Sequence, residues 1–112
     1  MRELGNPSRK LAKRILTEVD FESRLTGFDL RERAGAQPVW MYGFKEVVSL
    51  LHAPRPCVDF TKLETWIRGV MGDEELADQI AAAIKEGHND QDRIHLMKGL
   101  MELRLNQCKK LV

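Results

Sequence analysis

The sequence predicts a mainly α-helical fold, a compact bundle of about five helices with a short β-hairpin near residues 28–42. Apolar residues recur three and four positions apart along most of the chain, which is typical of amphipathic helices. Glycines, prolines and acidic capping residues divide these runs into segments of helical length. Since the chain has 112 residues and is 43% hydrophobic, we expect one domain, residues 1–112, in which residues 1–7 are flexible.

The first predicted helix begins at Ser8, a favourable N-cap, and ends near Gly27. Its apolar positions follow helical spacing and are Leu11, Ala12, Ile15, Leu16 and Val19. The opposite face is basic and carries Arg9, Lys10, Lys13 and Arg14. These four residues are candidate contacts for phosphate groups, although a solvated basic face is the more common role of such a pattern.

The segment between Phe28 and Tyr42 departs from the helical pattern. Phe28 and Leu30 alternate with charged residues, and the run from Val39 to Tyr42 favours extended backbone. A hairpin and an irregular loop are both compatible with this segment. Trp40 and Tyr42 are interpreted as core residues in preference to exposed anchors of a binding surface.

Two further helices follow from apolar stripes in the middle of the chain. The first stripe consists of Phe44, Val47, Val48 and Leu51. That helix must end before Pro54 and Pro56, because proline lacks an amide hydrogen and clashes with the preceding turn. The second stripe consists of Phe60, Leu63, Trp66, Ile67, Val70 and Met71. Trp66 is therefore expected to be buried.

Capping residues define the bounds of the later helices. Asp59 is predicted to cap the helix that carries Trp66, and Gly72 is predicted to end it in left-handed backbone. Asp73 then caps a helix that stops at Gly87, so two helices meet at a tight corner. Asp90 is predicted to cap the last helix.

The last helix carries more apolar surface than one core contact requires. One stripe is Ile94, Met97, Met101, Leu105, Cys108 and Val112, and a second is Leu96, Leu100, Leu103 and Leu111. Together they cover about 200° of the circumference, whereas a helix that faces one core needs about 100°. Either this helix passes through the middle of the bundle or its second stripe is an interface. We favour a partner or self-association surface made of Leu96, Leu100, Leu103, Arg104 and Leu111.

The central part of the chain resembles an uncharacterised prokaryotic family of small domains. The matching residues are Asp59-Phe60, Trp66-Ile67, Gly72-Asp73 and Leu76-Ala77. The family places a DF…W-[IL] helix before a GDxxLA corner. The resemblance covers residues 39–112 and implies a small helical domain. The family has no assigned activity, so the resemblance implies no site residues.

One cluster has the chemistry of metal ligands, and it consists of His88, Asp90, Asp92, His95 and Glu102. In this cluster Asp92 and His95 lie one helical turn apart. A carboxylate-bridged metal site in a helix bundle needs a second acidic residue and histidine at this spacing on a facing helix, and the sequence contains no second pair. Asp90 and Asp92 are therefore interpreted as acids at a helix start. We expect neither a metal nor a cofactor.

Cys57 and His52 form the nearest cysteine and histidine pair, in a proline-flanked loop. Neither an orienting third group nor an oxyanion hole accompanies them, and motifs for nucleotide binding or zinc proteolysis do not occur. Both Cys57 and Cys108 are interpreted as ordinary thiols. We expect no catalytic residues.

The charge is unevenly distributed although the net charge is only +1. The local balance is +4 in residues 1–14, −6 in residues 73–92 and +4 in residues 93–112. The acids at the Gly72-Asp73 corner would repel DNA from the recognition position of a helix-turn-helix. No stretch is apolar enough to span a membrane, and the first residues lack a secretory pattern. We therefore expect a cytoplasmic protein without a membrane partner.

These observations favour a non-enzymatic helical module that binds another protein or a second copy of itself. The alternative is a nucleic-acid-associated regulator that uses the basic first helix. A small metal-binding protein or enzyme is the third interpretation. The sequence identifies no partner, substrate or pathway.

Overall fold

The structure, a computed structural model, describes residues 4–31, 33 and 35–111. In chain order its elements are α1 (Arg9–Leu16), β1 (Leu25–Arg31), β2 (Gly35–Met41), α2 (Phe44–Leu51), β3 (Pro56–Cys57), α3 (Phe60–Trp66), α4 (Glu74–Glu86) and α5 (Asp90–Leu111). A short 3-10 turn, Phe21–Ser23, precedes β1, and a π turn, Ile67–Met71, continues α3. The fold is mainly helical, as predicted, but a three-stranded antiparallel sheet makes it more than a helix bundle. Within the described residues no helix is both long and apolar enough to cross a membrane.

The first helix is shorter than predicted. α1 begins after Ser8, which caps it as expected, but it ends at Leu16 rather than near Gly27. The residues that follow are extended, and the Val19 amide donates to the Tyr42 carbonyl at 2.6 Å. The chain leaves the helix here because this backbone pairing holds Val19 beside the segment that follows β2.

The predicted hairpin is present, and a third strand joins it. β1 and β2 pair antiparallel, with Leu25 opposite Met41 at the end nearest the core. β3 pairs with the other edge of β1, with Cys57 opposite Phe28, so the strand order is β2-β1-β3. The sequence does not predict β3, because two residues are too few to form a pattern. Its extended backbone agrees with the restriction that Pro56 imposes on the chain.

Capping residues act largely as the sequence predicts. Asp59 and Asp73 each accept an amide hydrogen bond in the first turn of their helix, and Gly72 has left-handed backbone with φ of 74°. The predicted cap of α5 is wrong by one residue. The Asn89 side chain accepts the amide hydrogen bond at 2.8 Å, and Asp90 is the first residue of the helix.

α5 packs against three other helices, α1, α2 and α4. These neighbours bury one side of α5, whereas the opposite side, which includes His95, Gly99 and Leu103, is exposed. Its buried residues are Met97, Leu100, Met101, Arg104, Leu105 and Cys108. Both apolar stripes therefore contribute to the core of a single chain, which explains much of the apolar surface that the sequence places on this helix.

The two tryptophans have opposite environments. Trp66 is 5% exposed, as predicted, and its indole nitrogen donates to the Ser23 carbonyl at 2.7 Å. Trp40 is 56% exposed, so its assignment to the core is wrong. Its position in β2 places the indole on the face of the sheet that points away from the helices. Tyr42 is partly buried.

Candidate functional site

The interaction surface predicted on α5 is divided between the core and the solvent. Leu100 and Arg104 are buried, with 5% and 1% of their surface exposed. Leu96 and Leu111 are partly buried, and Leu103 is 41% exposed. These five residues do not form one continuous exposed surface. A role of Leu103 in partner binding stays a prediction.

Arg104 is held inside the chain by acidic and carbonyl groups. Its Nε lies 2.8 Å from Asp73 Oδ2, and its Nη2 donates to Glu75 Oε1 at 2.7 Å. Its Nη1 donates to the Gly5 carbonyl at 2.7 Å and to Gln107 Oε1 at 3.0 Å. The sequence predicts Arg104 as part of an interaction surface, and its charge needs acids nearby once the side chain is buried. The start of α4 supplies these acids within the same chain instead.

The same network fixes the N-terminal segment. The Gly5 amide donates to Glu75 Oε2 at 3.2 Å, and Gln107 donates to the Leu4 carbonyl at 3.0 Å. Leu4 and Gly5 are thus held by hydrogen bonds, and residues 1–3 lie outside the described residues. The flexibility of residues 1–7 stays a prediction. The hydrogen bonds from Arg104 and from the Gly5 amide hold the pKa of Glu75 below its usual value. The network pairs the buried Arg104 charge with two carboxylates of the same chain and ties the N-terminal segment to α4 and α5.

The face of the sheet that points away from the helices is apolar. Alternate residues of a strand point to opposite faces, and residues opposite each other in the register share a face. The outer sheet face consists of Thr26, Phe28, Leu30, Ala36, Pro38, Trp40 and Cys57. Phe28 is 41% exposed, Leu30 is 42% exposed and Trp40 is 56% exposed. The alternation of Phe28 and Leu30 with charged residues was the sequence signal for this surface, but it does not reveal which face is covered.

The open edge of the sheet is β2, and Pro38 lies at its centre. The Leu30 amide donates to the Arg55 carbonyl at 3.1 Å, so Leu30 and Phe28 both direct their backbone groups away from β2. Pro38 stands opposite Phe28, and its backbone nitrogen therefore faces the open edge. Because proline has no amide hydrogen, this edge lacks a donor at its centre. The β2 edge therefore resists the addition of another strand.

The predicted basic face of α1 is exposed and borders a groove. Its four cations, Arg9, Lys10, Lys13 and Arg14, are all exposed. The Arg14 Nε donates to the Val70 carbonyl at 2.8 Å, which links α1 to the π turn across the groove. The groove has a volume of about 650 Å³. In the part of the chain that the structure describes, none of these four cations forms an ion pair with a carboxylate.

The residues considered for metal or catalytic chemistry have separate roles. Asp92 accepts a hydrogen bond from the His88 amide at 3.0 Å, and the His52 imidazole pairs with the Glu102 carboxylate. Cys57 lies exposed on the outer sheet face. Over residues 4–31, 33 and 35–111, no three histidine, cysteine or acidic side chains are grouped so that they could hold a metal ion.

No protein-family model matches this chain, and no curated protein or solved structure matches it significantly. The resemblance over residues 39–112 therefore stays a prediction. Any proposal about function must come from the surfaces of the molecule itself.

Proposed function

We propose that this protein is a non-enzymatic self-association module in which a second copy of the chain covers the outer sheet face. One observation carries the proposal. Phe28, Leu30 and Trp40 share this face and are 41%, 42% and 56% exposed. A contiguous apolar patch of this kind is typical of an interaction site, because soluble monomers seldom leave large apolar patches in water.

The absence of charge favours a second copy as the occupant. All seven side chains of the outer sheet face are uncharged. In a two-fold symmetric contact the same patch meets itself, so a charged patch would place like charges together. The seven side chains of the outer sheet face can therefore meet their own copies without that penalty.

The register identifies the residues that should contribute most to binding. Phe28 lies on the central strand, opposite Pro38 on one side and Cys57 on the other. It therefore occupies the middle of the face, where a contact is best shielded from water. Trp40 adds a large, rigid aromatic surface at low entropic cost. The interface should depend on these two aromatic side chains more than on the residues around them.

The exposed part of α5 is a smaller surface than the outer sheet face. Leu103 is exposed there, but its neighbours Leu100 and Arg104 are buried in the core of the same chain. The contact that we predicted for this helix is largely provided by α1, α2 and α4. The outer sheet face is therefore a better candidate than α5 for the interaction surface.

Sedimentation equilibrium over a wide concentration range tests this proposal. We expect wild-type protein to associate reversibly, and we expect Phe28→Ser with Trp40→Ser to stay monomeric while keeping its helical circular dichroism. Leu96→Ser with Leu103→Ser is the matched comparison, because it removes two apolar side chains from α5, and it should associate like wild type. A wild-type chain that is monomeric at all concentrations contradicts the proposal. Loss of association only in the α5 variant contradicts it as well, since the interface would then lie on α5.

A further inference from the structure

We propose that the groove between α1 and the π turn is a binding site for an organic anion with an apolar body, such as a medium-chain carboxylate or a phosphate ester. This site is separate from the outer sheet face and does not depend on self-association. The groove has a volume of about 650 Å³, which lies within the range of pockets that hold small molecules. Its lining residues are Ser8, Lys10, Leu11, Lys13, Arg14, Thr17 and 69–72.

The charge of the groove favours an anion. Lys10, Lys13 and Arg14 line one side, and no aspartate or glutamate belongs to the lining. None of the three has a carboxylate partner among the described residues, so no carboxylate of that part of the chain neutralises their charges. Arg14 donates its Nε to the Val70 carbonyl, which fixes the guanidinium across the groove and leaves its two Nη groups free to donate.

The floor of the groove favours an apolar body on that anion. Leu11 and Val70 are partly buried and Met71 is buried, so their side chains present carbon to the groove. Gly69 and Gly72 contribute no side chain, and a Cβ at either position would have no neighbouring atom within 4 Å. A ligand can therefore lie directly against the backbone of the π turn. A hydrated phosphate backbone of a nucleic acid would gain little from such a floor.

The groove also has room for a chain to extend beyond the cations. A second depression, of about 520 Å³, shares Gly69 and Val70 with it and reaches Trp66 and Leu25. A headgroup at Lys10 and Lys13 would thus leave the apolar body over Gly69. This arrangement matches a ligand that has one charged end and one apolar end.

Amide NMR spectra recorded during a titration with octanoate test the site. We expect saturable shifts at Leu11, Gly69 and Gly72, with little change at Phe28 and Trp40. Octanol, the neutral counterpart, should bind about tenfold more weakly, because it lacks the charge that the cations attract. Inorganic phosphate, which lacks the apolar body, should shift these signals only weakly.

Three variants distinguish this site from general charge effects. Lys10→Glu with Lys13→Glu should weaken octanoate binding about tenfold or more, because attraction becomes repulsion. Lys85→Glu with Lys110→Glu makes the same change in net charge on other helices and should bind octanoate like wild type. Gly69→Leu adds a side chain whose Cβ has no neighbouring atom within 4 Å and whose branched end would occupy the groove, so this variant should stay folded and lose binding.

The following results overturn the proposal. Octanol that binds as well as octanoate would show that the cations do not select the ligand, and shifts at Phe28 and Trp40 alone would place binding on the sheet. Unchanged octanoate affinity in Lys10→Glu with Lys13→Glu would also show that these cations do not select the ligand. Binding of a single-stranded oligothymidylate at Lys10 and Lys13, without octanoate binding, would assign these cations to nucleic acid instead.

Discussion

Asp73 and Arg104 form an ion pair in the interior of the domain, with Oδ2 and Nε 2.8 Å apart and each side chain 1% exposed. The Nε hydrogen is not directed at this oxygen as in a hydrogen bond, and Asp73 Oδ1 accepts from Nη2 at 3.3 Å. Asp73 also caps α4, since its Oδ1 accepts the Leu76 amide hydrogen bond at 3.0 Å. One carboxylate therefore starts a helix and balances a buried cation.

Removal of the Asp73 carboxylate should strongly destabilise the protein. Asp73→Ala removes the only one of the two carboxylates paired with Arg104 that is buried. Loss of one partner of a buried ion pair typically costs about 3–5 kcal/mol. Asp59→Ala is the matched control, because Asp59 caps α3 at an exposed position and its loss should cost about 1 kcal/mol. Urea unfolding measures both values. Equal losses in the two variants would mean that Asp73 contributes only as a cap.

The contribution of Glu75 to stability should depend on pH. The pKa of Glu75 is lowered in the folded protein, chiefly by the hydrogen bond from Arg104 and then by that from the Gly5 amide. A lowered folded pKa means that the stabilisation is complete above the unfolded value of about 4.3 and is lost as the pH falls through the folded value. Wild type should therefore be more stable than Glu75→Gln at neutral pH, and the difference should close in acid.

Urea unfolding at a series of pH values measures this difference. Glu74→Gln is the control, because Glu74 is exposed in the same turn of α4 and makes no recorded contact with Arg104. A difference between wild type and Glu75→Gln that persists unchanged below the folded pKa would show that the charge of Glu75 is not what Arg104 recognises.

Local features of the sequence predicted much of this fold. Ser8, Asp59 and Gly72 act at the helix ends where their backbone chemistry places them. Such features depend on neighbours within a few residues, so a single sequence contains the information. The end of α1 at Leu16 was not predictable in this way, because the apolar spacing continues to Val19 and the competing contact lies at Tyr42.

The surfaces were less predictable than the helices. Three of the four partners of Arg104 lie 29, 31 and 99 residues away, and periodicity carries no information about such distant contacts. The sequence predicts Trp40 in the core because aromatic residues at such spacing are more often core residues. It does not indicate which face of the strand is covered, and the indole is exposed. The basic face of α1 was predicted residue by residue, but the groove beside it depends on the position of the π turn.

The two tryptophans should respond oppositely to truncation. Trp66→Ala removes a buried ring and its hydrogen bond to Ser23, so it should cost about 3–5 kcal/mol. Trp40→Ala removes an exposed ring and should change the stability of the monomer by about 0.5 kcal/mol or less. Urea unfolding at low protein concentration, where self-association is absent, makes the comparison. A large loss of stability in Trp40→Ala would mean that other residues of the same chain cover the outer sheet face.

The two cysteines should differ in reactivity. Cys57 is exposed on β3, whereas Cys108 is buried in α5 and burial raises the pKa of its thiol. Since the thiolate is the reacting species, one thiol per chain should react rapidly with a disulfide reagent in the native protein at a concentration where self-association is absent, and the second only after unfolding. Cys57→Ser should abolish the rapid phase. A rapid phase that survives in this variant would contradict the burial of Cys108.

Alanine substitutions at Gly69 and Gly72 test how backbone conformation affects stability, because the two glycines have similar surroundings. Both positions are exposed, and a Cβ at either would have no neighbour within 4 Å, so packing does not distinguish them. Gly72 alone has left-handed backbone, with φ of 74°. Gly69→Ala should stabilise the protein by about 0.5–1 kcal/mol, because alanine has less freedom to lose on folding. Gly72→Ala should destabilise it by about 1–2 kcal/mol, because a Cβ is strained there.

Thermal or urea unfolding of the two alanine variants measures the change in the free energy of unfolding, which should increase in Gly69→Ala and decrease in Gly72→Ala. Gly72→Val extends the series, since a β-branched side chain is strained further in left-handed backbone and should cost more than Gly72→Ala. Stabilisation by both alanines would mean that α3 and α4 join in one continuous helix through Gly72. In that case the corner that brings Asp73 to Arg104 would not exist, and the buried ion pair would have to be assigned differently.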